Sequence, residues 1–141
     1  MDRGKIAELY KKYDLVADDV FKHKNYLIIT RGGIEKIQAS IDIKIEYEAI
    51  TSTPEFAVVK AKANDLETFG SAKYGGKEWK EFDKPNQYGK TGKWIEHGNT
   101  SSWYIMEIAE KRAMSRIVLK ICGFYQLGCF GEDESEDFKK Q

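Results

Sequence analysis

Met106-Glu107-Ile108-Ala109-Glu110-Lys111-Arg112-Ala113-Met114-Ser115-Arg116-Ile117-Val118-Leu119-Lys120-Ile121-Cys122 is the stretch on which the fold turns. On a helical wheel at 100° per residue it is apolar over most of its circumference from Ala109 onward. Ala113, Met114, Ile117, Val118, Leu119, Ile121 and Cys122 make that surface. A helix apolar nearly all round is a buried one. Ser101 or Ser102 can cap its start and Gly123 can end it, so the sequence predicts one long helix from Ser102 to Cys122. Arg112, Arg116 and Lys120 interrupt the apolar surface at i, i+4 and i+8, on one narrow stripe. Such a stripe faces water, pairs with acids such as Glu107 and Glu110 on neighbouring turns, or looks into a groove. Three like charges at this spacing repel unless an anion or water accepts them, which favours the groove.

Upstream of the helix the period changes from 3.6 to 2. Ile41, Ile43, Ile45, Tyr47 and Ala49 alternate with Asp42, Lys44, Glu46 and Glu48. Alternation places one face in a core and the other in water, as in an antiparallel sheet. Thr51-Ser52-Thr53-Pro54 is a turn signal, Phe56 to Ala63 a second strand, Asn64-Asp65 a second turn, and Leu66 to Tyr74 a third strand containing Gly70. Three strands joined by short turns form a meander. Further upstream, Ile6 to Tyr13 reads as a short amphipathic helix. Asp14 can cap a further turn through Ala17 to Phe21. Tyr26 to Thr30 reads as a buried strand, and Ile34, Ile37 and Ile41 mark a helix over Gly33 to Ser40. The expected fold is α+β: an antiparallel βββ meander followed by a long helix, with short N-terminal helices. Residues 1–131 form one domain in this reading, with a final apolar segment at Leu127 to Phe130. Residues 132–141 form an acidic tail, solvated and frayed.

Between meander and helix, Gly75 to Thr100 shows no clean period and is read as a long loop. Lysines and aromatic rings interleave through it: Lys73, Tyr74, Lys77, Trp79, Lys80, Phe82, Lys84, Tyr88, Lys90, Lys93 and Trp94. Single-stranded nucleic acid is held by this combination, cations for phosphates and flat rings for unstacked bases. Glu78, Glu81, Asp83 and Glu96 dilute the charge and suit a folded plug with solvated lysines equally well.

The bulk numbers narrow the field. The chain has 141 residues with 23 basic and 23 acidic side chains, so it does not coat duplex DNA by net charge alone. Hydrophobic residues are 41% of the chain, which excludes a disordered composition. No apolar run approaches the roughly 20 residues needed to span a bilayer. The start, Met1-Asp2-Arg3-Gly4-Lys5, lacks a signal peptide's apolar core, so the expected location is the cytoplasm and the two cysteines are expected to stay reduced. Cys122, Cys129, His23 and His97 show no zinc spacing, Gly75-Gly76-Lys77 is not a P-loop, and no nucleophile motif surrounds His23. The expectation is a non-enzyme with no metal and no cofactor.

One resemblance sharpens this. Glu67-Thr68-Phe69-Gly70-Ser71-Ala72, then Met106 to Lys120, then Gly123-Phe124 and the acids Glu132-Asp133-Glu134, are similar to the single-strand annealing recombinases. That superfamily includes the phage ERF and RecT/Red-beta types and the eukaryotic annealing mediator, and the chain looks like a distant member of phage or Bacteroidetes type. The resemblance covers about Ile41 to Glu134. It implies three strands and a helix, rings or filaments of identical subunits, and annealing of complementary DNA strands without ATP. It casts Arg112, Arg116 and Lys120 as phosphate contacts on a groove helix. Gly75 to Thr100 has no counterpart in it. The functional expectation is single-stranded DNA binding with strand annealing in recombination or repair. Lys73, Tyr74, Lys77, Trp79, Lys80, Lys90, Lys93 and Trp94 add to the three helix cations. The alternative is a non-catalytic assembly subunit that uses the aromatic segment 75–100 to hold a protein partner.

Overall fold

The computed structural model describes residues 2–138, except for the Lys77 side chain. The long helix, α3, spans Ile105–Cys122. It lies across a meander of β3 (Glu46–Ser52), β4 (Phe56–Ala63) and β5 (Leu66–Lys73), all antiparallel. Alternation in β4 and β5 does what a half-buried sheet requires: Ala57, Val59, Ala61 and Ala63 are buried, as are Thr68, Gly70 and Ala72. These small residues let α3 approach closely, and Ala109 and Ala113 present an equally small helix surface. Asn64 and Asp65 both take positive φ, 50° and 63°, the geometry of a two-residue hairpin turn. On the other face Lys60 reaches Glu48 at 3.2 Å and Glu67 at 3.7 Å, a charge ladder across three strands in contact with water.

A second sheet caps the end of α3. β1 (Val20–His23) and β2 (Tyr26–Ile29) pair antiparallel, and β8 (Cys129–Gly131) joins β2 in parallel. Helices α1 (Arg3–Lys12) and α2 (Arg31–Ile41) complete the N-terminal half. Thr30 caps α2 by accepting the Gly33 N–H. Phe124 is fully buried beneath the rings of Tyr10 and Tyr13, with centroids 5.9 and 6.0 Å away. No helix among the described residues is long and apolar enough to cross a membrane.

The α+β class, the meander, the short N-terminal helix and the long helix agree with the sequence expectation; several boundaries and one whole element do not. Ile41 ends α2 instead of opening a strand, because it completes the apolar spacing of Ile34 and Ile37; Asp42, at φ 44°, then stops the helix. The first meander strand begins at Glu46, five residues later than the alternation suggests. Its residues Glu46 to Ile50 are all exposed, since α3 covers β4 and β5 and leaves β3 bare. Helix α3 begins at Ile105: the Ser102 hydroxyl accepts the Tyr104 N–H and holds the chain in a turn before the helix starts. Gly123 ends it at φ 88°, as expected. Ala17–Asp19 is a single 3-10 turn leading directly into β1. The largest correction concerns 75–100. It is not a loop but a hairpin of β6 (Gly75–Glu81) and β7 (Gly92–Thr100) around a ten-residue connection. The tail is not frayed through Phe138: Glu132–Glu134 and Glu136–Phe138 are two 3-10 turns.

Candidate nucleic-acid interface

The basic stripe meets the free edge of the meander. An edge strand exposes a row of backbone N–H and C=O groups at every second residue. In β5 that row includes Phe69, Ser71 and Lys73, and three of its groups are met by side chains. Arg116 Nη1 donates to the Phe69 carbonyl at 2.6 Å, and Arg112 Nη1 to the Ser71 carbonyl at 2.8 Å. The Asn99 side chain, from β7, accepts the Lys73 N–H at 2.7 Å. The match is geometric. Helix residues four apart rise about 6 Å, and strand residues two apart advance about 6.6 Å. Arg112 and Arg116 therefore clasp two successive outward carbonyls of β5.

The remaining guanidinium nitrogens turn to the C-terminal segment. Arg112 Nη2 donates to the Asn99 carbonyl at 3.2 Å, and Nε to the Asp133 carbonyl at 3.3 Å; Glu136 lies 3.8 Å away. Arg112 is only 3% exposed. Burial pulls its pKa down, which Glu136 opposes. Arg116 Nε donates to Glu134 at 3.0 Å, and the other Glu134 oxygen accepts the Gly131 N–H at 2.6 Å. The acids that pair with the stripe thus come from the tail and not from Glu107 or Glu110. Only Lys120 is exposed, with its ammonium 5.4 Å from the Tyr125 ring centroid.

Glu134 carries a pH prediction. Burial raises its pKa above 4.5, outweighing Gly131 and Arg116, which lower it. The native chain then holds this proton more tightly than the unfolded chain. Its stabilising contribution is fully present below about pH 4.5 and is lost as pH rises through the higher native value. The melting temperature of the wild-type chain, relative to Glu134→Gln, is expected to fall as pH rises from about 4.5. Thermal melts of both proteins across pH 4 to 7 check this, at the approximate range that linkage sets.

The hairpin is built differently, with solvent on both sides. Register pairs Trp79 with Trp94 and Lys80 with Lys93. The two indoles meet edge to face at 5.3 Å and remain 43% and 63% exposed. Gly92 makes their seat, because a Cβ there would lie 2.6 Å from the Lys80 carbonyl oxygen and 2.7 Å from the Trp79 ring. Gly92→Ala is expected to push Trp79 aside and to red-shift the tryptophan emission, which a fluorescence spectrum reads. Lys80 and Lys93 project from the opposite face, where Glu78 is engaged by His97 Nε2 at 2.8 Å. Lys90 lies in the connection, with its N–H donated to Asn86, which also accepts the Tyr88 N–H. The exposed rings of Phe82 and Tyr88 lie nearby in sequence. At the base of the hairpin Tyr74 stacks on Trp103 at 3.7 Å.

The residues singled out from sequence thus divide into two groups. Arg112 and Arg116 are bound into the fold beside a groove of about 400 Å³ that Tyr125 and Phe138 also line. Trp79, Lys80, Lys90, Lys93 and Trp94 stand exposed on the hairpin and its connection, with Lys73 and Tyr74 at its base. The Lys77 side chain lies outside the described residues. Sequence reading missed Asn99 and Thr68, whose hydroxyl donates to the Ala113 carbonyl at 2.7 Å. A polar residue on a strand's buried face was the available signal for Thr68. A pocket of about 620 Å³ lies elsewhere, between α1 and the β1–β2 hairpin, lined by Ile6, Tyr10, Phe21 and Tyr26. Among the described residues no cluster of His, Cys, Asp and Glu is arranged to hold a metal. Comparison with protein-family models, with curated proteins and with solved structures gives no match.

Proposed function

We propose that the protein binds single-stranded DNA along the β6–β7 hairpin and promotes the annealing of complementary strands without ATP. The observation that carries this reading is the Trp79–Trp94 pair: two large rings, both exposed, on a ribbon that also bears lysines. The two indoles pack on each other, yet each keeps a large exposed surface, and every base offers it a π-face. Strand-annealing function is also what the sequence resemblance implies. Arg112 and Arg116 enter this account as the struts that fix β5, from which the hairpin continues. Lys120, exposed at the end of the stripe, remains available to a phosphate. Annealing of two complementary labelled oligonucleotides tests the proposal. The wild-type chain is expected to accelerate it without nucleotide, and Trp79→Ala/Trp94→Ala to lose most of that acceleration while its circular dichroism stays that of the folded chain. Equal acceleration by both proteins would sink the hairpin assignment.

A second reading has its own observation. Among the described residues no strand pairs with the outer edge of β3, and its Tyr47 and Ile50 are 42% and 49% exposed. An open edge with apolar side chains is a place where another chain can add a strand. Assembly of identical subunits through β3 fits the homo-oligomer that annealing needs. Ile50→Lys, on the bare edge, is expected to lower the assembly state in sedimentation; an unchanged state would exclude this edge.

A further inference from the structure

The hairpin has two faces of opposite chemistry. Register places Trp79, Glu81, Gly92, Trp94 and Glu96 on one face. Glu78, Lys80, Lys93, Ile95 and His97 share the other. No layer covers either side: Glu78 to Glu81 and Lys93 to Trp94 are all exposed. Lys80 and Lys93 are directly opposed across the two strands, so their Cβ atoms are roughly 4.5–5.5 Å apart. Like charges directly opposite destabilise a strand pair. The carboxylate on the same face that could relieve them, Glu78, is engaged by His97 at 2.8 Å. Neither lysine has an ion-pair partner among the described residues. Two ammonium groups at this spacing, neither held in an ion pair, form a seat for an anion with several oxygens.

We propose that the Lys80–Lys93 face is a second nucleic-acid site, which takes the phosphodiester backbone of one strand while the Trp79–Trp94 face stacks the bases of another. This inference rests on the single-stranded DNA reading above and extends it: one hairpin holds two strands, back to back. A strand stacked on the indoles cannot also contact the lysine pair without wrapping the ribbon, because the two sets of side chains leave opposite faces. The backbone contact leaves the second strand's bases unstacked and free to search for complements. Phosphodiester is the favoured anion over a protein carboxylate because the rings opposite already suit a nucleic acid. An acidic peptide is the competing occupant that the test must separate.

The experiment uses the full chain and two thymidine homopolymers, one carrying a donor dye and one an acceptor. Tryptophan quenching, read in a Trp103→Phe background, reports the first strand; energy transfer between the dyes reports simultaneous occupancy. The wild-type chain is expected to show both. Lys80→Ala/Lys93→Ala is expected to reach the same saturating quench while energy transfer and annealing rate fall, and Lys80→Arg/Lys93→Arg to restore both. Energy transfer unchanged in the alanine variant overturns the second site, as does equal displacement of the second strand by poly-glutamate at matched charge. Absence of quenching in the wild-type chain instead overturns the first-strand reading, so the two failures are distinguishable. A second readout needs no DNA. Lys93→Glu is expected to raise the melting temperature by relieving the opposed charges, and a lowered one counts against the proposal.

Discussion

Gly70→Ala is expected to lift α3 off the sheet. A Cβ at Gly70 would lie 2.1 Å from the Ala109 carbonyl oxygen and 2.5 Å from the Ala113 nitrogen. Both are backbone atoms of a buried helix, so no side chain can rotate away. Overpacking in a well-filled core costs typically about 1–3 kcal/mol, and a clash with fixed backbone belongs at or above the upper end. The same shift would break the Thr68 hydroxyl bond to Ala113 and stretch both arginine bonds to β5. Against a total stability of about 5–15 kcal/mol, the variant is expected to melt far below the wild type or to remain unfolded at 37 °C. Circular dichroism melts decide it; an unchanged melting temperature would mean that the helix does not sit on Gly70.

Arg112→Ala is the second large effect, and it is a loss of stability before it is a loss of binding. The side chain satisfies the carbonyls of Ser71, Asn99 and Asp133. These bonds are part-buried and come from a charged donor, each worth about 1.5–3 kcal/mol, so a total loss of about 3 kcal/mol is expected. Arg112→Lys keeps the charge but offers a point donor in place of a planar fork, and is expected to recover only part of it. Denaturant titration of the three proteins gives the comparison. Arg116→Ala is expected to cost less, since Arg116 is partly exposed and makes two bonds where Arg112 makes three. In a double variant, weakened oligonucleotide binding therefore has to be read beside the folded fraction.

The long helix was legible because its apolar surface recurs over many turns and Gly123 ends it. The hairpin turn at Asn64-Asp65 was legible from its residue types, and β4 from its period. Three things were hidden, each for a physical reason. The β6–β7 hairpin shows no apolar alternation because neither of its faces is buried, so the pattern that reveals a half-buried strand has nothing to record. The β3 alternation predicts a core face that the helix leaves exposed. The partners of Arg112 and Arg116 are mostly backbone carbonyls, which carry no residue signature; which ones they meet follows from the tertiary fold. The acidic tail was visible as charge, yet only the structure shows Glu134 held between Arg116 and the Gly131 N–H. Gly70 was visible as a glycine in a strand, while its reason, the approach of Ala109 and Ala113, was not.

The central claim is that exposed rings on the hairpin take the bases of a single strand. Equilibrium titration of intrinsic fluorescence with a thymidine homopolymer, at two salt concentrations, measures this most directly. Stacking contributes about 1–3 kcal/mol per base, so Trp94→Ala, in a Trp103→Phe background that leaves Trp79 as the reporter, is expected to weaken binding about fivefold or more. The wild-type chain is expected to bind with quenching and to weaken as salt rises. Binding of equal strength with Trp94 removed, or no quenching of the wild-type chain at any oligonucleotide concentration, would contradict the account.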